Sequence, residues 1–383
     1  MWLNRGTIVP KFSHIFCGEG ERAEKGAGAM IRDDPRCFER ERGGGALISI
    51  DPERRTRQFV DRMSITVALF LLSLAATGAT ATPSVQTRIA RWSDDKQAAF
   101  LLMFDDSMPS HVRNVVPELK KRGFVGTFYV NPGKGEWGVF REKWEKEFPV
   151  TAGIVYGNHT WTHKGARSIE QADEEIRQCN EMILRLFPGP QPRLISYGQP
   201  GVKKEDWTIS KDQLAELLQK YHLIERPPFK GAVIHYKTAE DMRRVVDKAL
   251  ASGGLEYVVF HGVGGEWISA PLDVFHALLD ALEAHRDRIW ITDHISAHKY
   301  QTERDSAEVK TLAVADRQIR LVLTCRADPK LYDLPLTLVV SVPWKQCRVT
   351  QGAARATVAV ADGLARFPAL PNGVPITLDA LAE

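Results

Sequence analysis

Between about residues 95 and 300 the chain alternates short apolar runs with stretches of helical periodicity, and that alternation leaves few architectures open. The run at 98–104 (A-A-F-L-L-M-F) is apolar at every position, as a strand covered on both faces must be, and sheets of such strands need helices between them. Runs of the same kind recur at 126–130, 152–155, 194–197, 232–235, 257–260 and 289–292. Between them Val112, Val115, Val116 and Leu119, and again Phe275, Leu278, Leu279 and Leu282, step by threes and fours, which gives a helix one apolar stripe to lay on a sheet. Ser168 with Gln171, Ser210 with Gln213 and Thr238 with Asp241 have the spacing of helix N-caps. Repeated strand–helix units predict an α/β fold, a distorted (β/α) barrel of about seven strands spanning 95–303.

The pattern changes near residue 305. Short β-prone runs at 317–325, 336–342, 347–349, 356–361 and 376–378, separated by Pro, Gly and Asp, predict a small β-sandwich domain over 310–383. No aromatic platform stands out there, so its expected role is structural. At the other end, residues 1–62 are rich in Arg, Glu and Gly and read as a non-native or disordered extension. Arg62, the apolar stretch 65–74 and the small residues Ala79-Thr80-Ala81 then predict a signal peptide at 63–81, cleaved after Ala81. Such a segment is too short for a stable transmembrane anchor, and it implies a secreted product, periplasmic or extracellular. Of five cysteines, Cys179, Cys325 and Cys347 would then remain; Cys179 reads as a small buried hydrophobe, and Cys325 and Cys347 are candidates for a bridge. A formal net charge of +3 from 51 basic and 48 acidic residues offers no basic field, so nucleic acid is not an expected partner.

In a parallel barrel the loops after the strands' C-terminal ends build the reaction site. Asp105 and Asp106 follow the first expected strand, His159 and His163 the third, Tyr197 closes the fourth, and His261 follows the sixth. Two adjacent carboxylates at a buried strand end raise each other's proton affinity unless a cation lies between them. If 159–163 makes one helical turn, the two imidazoles share a face and can grip one ion. With Asp106 they form a two-His-one-carboxylate set that leaves positions open, and Asp105 is then free to act as a base. Alone, an Asp-Asp pair is a turn or a cap, and His261 in F-H-G-V-G-G is an ordinary histidine before a glycine turn; their conjunction at strand ends is what carries weight.

On these motifs the chain resembles the polysaccharide deacetylase family, the NodB-homology or carbohydrate esterase family 4 domain, over roughly 95–300. Met103-Phe104-Asp105-Asp106-Ser107 is similar to the family's first motif, His159-Thr160-Trp161-Thr162-His163 to its His-Ser/Thr-x-x-His motif, and Tyr257-Val258-Val259-Phe260-His261 to its late strand-plus-histidine motif. The resemblance implies hydrolytic removal of acetyl groups from an acetylated oligo- or polysaccharide, with N-acetyl favoured over O-acetyl. It implies one divalent metal ion, Zn2+ foremost, held by Asp106, His159 and His163, with Asp105 as general base and His261 as general acid. The third motif departs from the pattern. Where the family has Arg-x-Pro-Tyr, the chain reads Leu194-Ile195-Ser196-Tyr197-Gly198-Gln199-Pro200, which makes Tyr197 the candidate for the oxyanion amide and leaves Arg193 or Arg226 to replace the arginine. Trp207 is a candidate groove wall or a packing cover. The altered motif also admits a rival, a catalytically silent carbohydrate-binding protein on the same barrel. A glycosidase would need two carboxylates several ångströms apart on different strands, which the adjacent pair does not offer.

Overall fold

The computed structural model describes residues 85–382. The expected extension at 1–62 and signal peptide at 63–81 lie outside the described residues, and among those described no helix is long and apolar enough to cross a membrane. The described residues begin with β1 (Thr87–Ile89) and continue into a parallel sheet made of β2 (Ala98–Asp105), β3 (Gly126–Val130), β4 (Ile154–Asn158), β5 (Ile195–Tyr197), β6 (Leu223–Glu225), β7 (Leu255–Phe260) and β8 (Ile289–Thr292). The sheet runs β6-β5-β4-β3-β2-β7, with β8 beside β2. β2 is long enough to serve two neighbours on one edge: 102–105 pair with β3 and 98–101 with β8, while 99–104 pair with β7 along the other. The curved parallel sheet of seven strands is the barrel-like α/β fold expected from the sequence.

Helices α1 (Val116–Arg122), α2 (Gly135–Val139), α3 (Ile169–Leu186), α4 (Lys211–Lys220), α5 (Ala239–Ser252), α6 (Leu272–Ala284) and α7 (His294–Ser306) separate the strands. Ser168 caps α3, and full capping boxes at Ser210/Gln213 and Thr238/Asp241 open α4 and α5, each satisfying backbone donors that the first turn leaves free. Strand periodicity sorts the core into two layers. Phe100, Leu102, Phe104, Phe128, Val258 and Phe260 face the helices, and Leu101, Met103, Tyr129, Tyr257 and Val259 face inward.

One expected strand is corrected. Residues 232–235 form a turn, in which Val233 is left-handed (φ 69) and the Gly231 carbonyl accepts from His235 N–H. The contact with the edge of β7 is a single bridge between Gly231 and Val259, in which the Ala232 N–H donates to the Val259 carbonyl and the Val259 N–H to the Lys230 carbonyl. The strand lies upstream as β6, where Leu223 and Ile224 are the buried pair. Three residues are too few to print an apolar run, and the Val-Ile pair at 233–234 mimics one.

Beyond α7 come β9 (Ala307–Ala315), β10 (Gln318–Cys325), β11 (Leu336–Ser341), β12 (Gln346–Gln351), β13 (Ala354–Ala361), β14 (Leu364–Ala369) and β15 (Ile376–Ala380). With β1 they make an antiparallel sheet ordered β1-β11-β14-β13-β12-β15-β10-β9. β13 pairs with β12 over 354–359 and with β14 over 360–361, so the sheet folds over at this strand and both halves face one core. Asp362 (φ 53) and Gly363 (φ 71) make the two-residue turn that the β13–β14 hairpin requires. Cys347 lies buried in that core and Cys325 beside Ser306; both are free, so the expected bridge between them does not form. Cys179 is a buried member of the barrel core.

α7 is polar in sequence yet mostly buried. Ala297 enters the inward layer of the barrel, whereas Tyr300 joins the sandwich core with Trp92 and Ala99. Several of its polar groups find partners: the His294 N–H donates to Thr127 Oγ1 (3.0 Å), Ser196 Oγ lies 2.7 Å from His294 Nδ1, and Tyr300 Oη donates to the Ala90 carbonyl (3.0 Å), whereas His298 Nε2 and Glu303 Oε1 are buried without a hydrogen bond among the described residues. Burial, reinforced by the Arg226 charge, pushes the His294 imidazole down to about 3. Between that value and the ordinary value of 6.5 the unfolded chain binds one proton more than the folded one, so stability falls as pH falls through this window. Substituting His294→Asn is therefore expected to reduce the acid slope of urea-unfolding free energy by about 1.4 kcal/mol per pH unit; an unchanged slope would mean that the imidazole is already charged in the folded protein.

Candidate metal and catalytic centre

Asp105, Asp106, His159, His163 and His261 sit at the same end of the parallel sheet, because each ends or follows the C-terminal end of its strand. Asp105 is the last residue of β2, and Asp106 follows it in a left-handed conformation (φ 73), continued by Ser107 (φ 52). This twist turns two consecutive carboxylates to the same space. It is held by the Asp106 N–H donating to the Tyr129 carbonyl (3.1 Å) and the Asn131 N–H donating to Ser107 Oγ (3.1 Å).

His159 and His163 converge by a different route from the expected helical turn. The segment after β4 is irregular, with Thr160 (φ 65) and His163 (φ 61) left-handed. Its bends are tied from outside: Thr160 N–H donates to Asn158 Oδ1 (2.9 Å), and Thr162 gives its N–H and its hydroxyl to the two Glu175 oxygens of α3 (2.7 Å each). Asn131 donates to the carbonyls of His159 and Thr160. The imidazoles end 5.0 Å apart, centroid to centroid.

Asp106 Oδ1 is the common point. It lies 3.1 Å from His163 Nε2 and 3.7 Å from His159 Nε2, and one ligand atom from each of the three residues falls within 4.8 Å of the others. Two details say that this triad fits a divalent cation. Asp106 Oδ1 is buried without a hydrogen-bond partner among the described residues, and His159 Nδ1 lies 2.7 Å from the Gly198 carbonyl. A carbonyl accepts only, so it fixes the proton on Nδ1 and leaves the Nε2 lone pair facing Asp106. Lys134 Nζ, 3.4 Å from Asp106 Oδ1, adds positive charge at the rim.

Asp105 has another partner. Arg226, the first residue after β6, grips its carboxylate with both terminal nitrogens, one contact being Nη2 to Oδ2 at 2.8 Å. Burial alone would raise the Asp105 pKa, but the Arg226 guanidinium, helped by His159, outweighs it and holds the carboxyl far below the usual carboxylate range. The Arg226 contact thus favours the ionised form of Asp105. Arg226 stacks 4.5 Å above the Tyr129 ring, whose hydroxyl lies 2.8 Å from Ser196 Oγ. Of the two arginines considered from sequence, Arg226 takes the place; Arg193 lies at the opposite end of the sheet, next to the start of β5.

His261, first after β7, points Nε2 at both carboxylates, 4.0 Å from Asp105 Oδ2 and 4.0 Å from Asp106 Oδ2. These distances leave room for a group between them. Burial lowers the imidazole's pKa and the two carboxylates oppose that shift. Phe229 and Trp267 flank the ring, with centroids at 5.5 and 5.0 Å.

Tyr197 is not among the converging groups. Its ring belongs to the helix-facing core, wholly buried. The Ile195 N–H donates to the His222 carbonyl and the Arg226 N–H to the Tyr197 carbonyl, so by strand alternation the Tyr197 N–H also points to β6 and away from the centre. Trp207 is half-buried against the barrel core.

Residues 93–215 match the model of the polysaccharide deacetylase family. Over this stretch the chain resembles a polysaccharide deacetylase domain. The match includes Asp105, Asp106, His159 and His163, and the parallel sheet continues past it to Arg226 and His261. A curated relative, a gellan lyase from a Bacillus species, is 23% identical over 296 residues, covering 69% of this chain and 12% of its own length. The chain thus spans about one eighth of the length of the curated relative it matches. Among solved structures, a family 4 carbohydrate esterase from Streptomyces lividans in complex with acetate has 16% identity, covers 51% of this chain and 92% of its own, and gives a TM-score of 0.36. A CE4 family pseudoenzyme from Bacillus anthracis has 14% identity with coverage of 52% and 69% and a TM-score of 0.37. Peptidoglycan deacetylase from Bacillus subtilis has 18% identity, coverage of 51% and 87%, and a TM-score of 0.35.

Proposed function

We propose that the protein is a metal-dependent deacetylase that hydrolyses acetyl groups from an acetylated oligo- or polysaccharide, with the N-acetyl amide as the favoured bond. The observation that carries this reading is the division of labour between two adjacent carboxylates. Asp106 is left without a protein hydrogen bond on the atom that faces two imidazole nitrogens, whereas Asp105 is fixed by a bidentate arginine. Asp106, His159 and His163 would hold one divalent ion, Zn2+ by the preference of a two-His-one-carboxylate set with open positions. When bound, such an ion acts as a Lewis acid toward a carbonyl oxygen and lowers the pKa of water.

The chain's own residues do the rest. Asp105, ionised and held in one orientation, takes the proton of the attacking water; its low basicity is the cost of the Arg226 contact, and its fixed geometry is the gain. His261 faces the same space from β7 and protonates the leaving nitrogen or oxygen, which otherwise departs as an unstable anion. Burial of these groups keeps bulk water from screening the charges that develop. The rival reading, a silent carbohydrate-binding protein, grew from the arginine missing in the third motif; Arg226 supplies a guanidinium at Asp105 from another loop, which favours the enzyme. An export signal, as expected from 63–81, would take the enzyme to glycans outside the cytoplasm.

The test is acetate release from acetylated chito- and xylo-oligosaccharides, with and without chelator. Release that stops on chelation and returns with Zn2+ is the expected result, faster on the chito-series. Activity that survives chelation, or new reducing ends in place of acetate, would reject the proposal.

A further inference from the structure

Trp267 is 58% exposed, and it is the one aromatic side chain among the exposed large hydrophobic residues described. The position is held at some cost. The residues on either side of it, Glu266 (φ 66) and Ile268 (φ 45), are both left-handed, and a β-branched residue there is strained. The loop is nevertheless tightly pinned. The Gly262 N–H donates to the Trp267 carbonyl (3.0 Å), the Ala270 N–H to the Gly262 carbonyl (2.9 Å) and the Gly264 N–H to the Ala270 carbonyl (2.8 Å). Glu266 accepts from the Ser110 N–H (2.9 Å) and pairs with Arg113, which anchors the bend to the segment after β2. A side chain added at Gly262 would meet the Gly265 carbonyl oxygen at 2.0 Å, so that glycine is needed for the bend to close. Such bracing stands an indole in solvent, edge-to-face against His261, with ring centroids 5.0 Å apart and an interplanar angle of 83°.

We infer that Trp267 is the platform on which the acetyl-bearing sugar ring of the substrate stacks. The inference rests on the deacetylase reading for its polarity. If His261 protonates the leaving nitrogen or oxygen, the sugar attached to that atom lies on the His261 side of the centre, while the acetyl group points to Asp106, His159 and His163. The surface met on the His261 side is then Trp267. A pyranose has an apolar C–H face and a polar rim, and an indole standing in water matches the first while leaving the second hydrated. The exposed indole and the strained backbone at Glu266 and Ile268 on either side of it are both unfavourable in the free protein, and a sugar face removes the first.

The test uses the metal-loaded protein, the N-acetylglucosamine pentamer as ligand in calorimetric titration, and p-nitrophenyl acetate as a substrate without a sugar. Trp267→Ala is expected to weaken pentamer binding about tenfold. It should also lower pentamer kcat/KM about tenfold more than p-nitrophenyl acetate kcat/KM, and Trp267→Phe should recover most of both losses. Equal losses on the two substrates would overturn the inference, because Trp267 would then act only by holding His261. Unchanged pentamer affinity in Trp267→Ala would overturn it too, as would a native protein that binds no pentamer. A native protein that binds the pentamer through Trp267 but releases no acetate would sink the proposed reaction and leave the platform standing.

Discussion

Exchanging Arg226 for methionine is expected to lower kcat/KM for acetate release by a factor of about 10²–10³ and to destabilise the protein by about 3–5 kcal/mol. The two effects share one origin. Asp105 is 1% exposed, and its carboxylate is kept ionised against burial chiefly by the guanidinium. Without that partner the carboxyl either stays charged in an apolar site or takes up a proton, and in the second form it cannot accept one from water. Lysine at 226 keeps the charge but not the fork that holds both carboxylate oxygens, so Arg226→Lys should lie between native protein and Arg226→Met in both measurements. Steady-state kinetics and denaturant unfolding on the three proteins decide the matter. Native activity in Arg226→Met would show that Asp105 needs no fixed orientation, and Asp105 would lose its place as the base.

Asp106→Ala should abolish metal retention and take activity down by about 10³ or more. The oxygen removed is the one to which both imidazoles point, 3.1 and 3.7 Å away. A ligand that binds only the folded state raises the melting temperature by mass action, which gives a readout independent of turnover. Adding Zn2+ in excess to chelator-treated protein should raise the melting temperature of the native chain and leave that of Asp106→Ala in place. Elemental analysis should find about one ion per native chain and a trace in the variant. A variant that retains the ion would remove Asp106 from the ligand set.

The sequence shows the polar residues that converge at the centre and conceals what braces them. Asp105, Asp106 and His261 are readable because each directly follows a strand long and apolar enough to print its own signal. His159 and His163 are readable as a pair, but the helical turn expected to unite them is a left-handed loop. Nothing in H-T-W-T-H marks Thr160 and His163 as left-handed, since neither is glycine; Asn158, Asn131 and Glu175 impose that shape from three other elements. Arg226 was one of two candidates that the sequence could not rank. It stands 121 residues from Asp105 and follows β6, the strand too short to register. Tyr197 falls correctly at the end of β5, but which edge its N–H faces depends on the register with β6, which residue order alone does not disclose.

α7 is the element whose composition misleads most, since a segment reading H-I-S-A-H-K-Y-Q-T-E-R-D-S would be placed on the surface by polarity alone. It is instead a keystone, with Ala297 under the reaction centre and Tyr300 in the neighbouring layer, which β1 also joins from upstream of the barrel. A chain cut after Ser306 would strip the cover from Trp92, Trp290 and Tyr300 and leave β1 without β11. The barrel half is therefore no interchangeable cassette: any graft or trimmed version must carry the antiparallel layer with it.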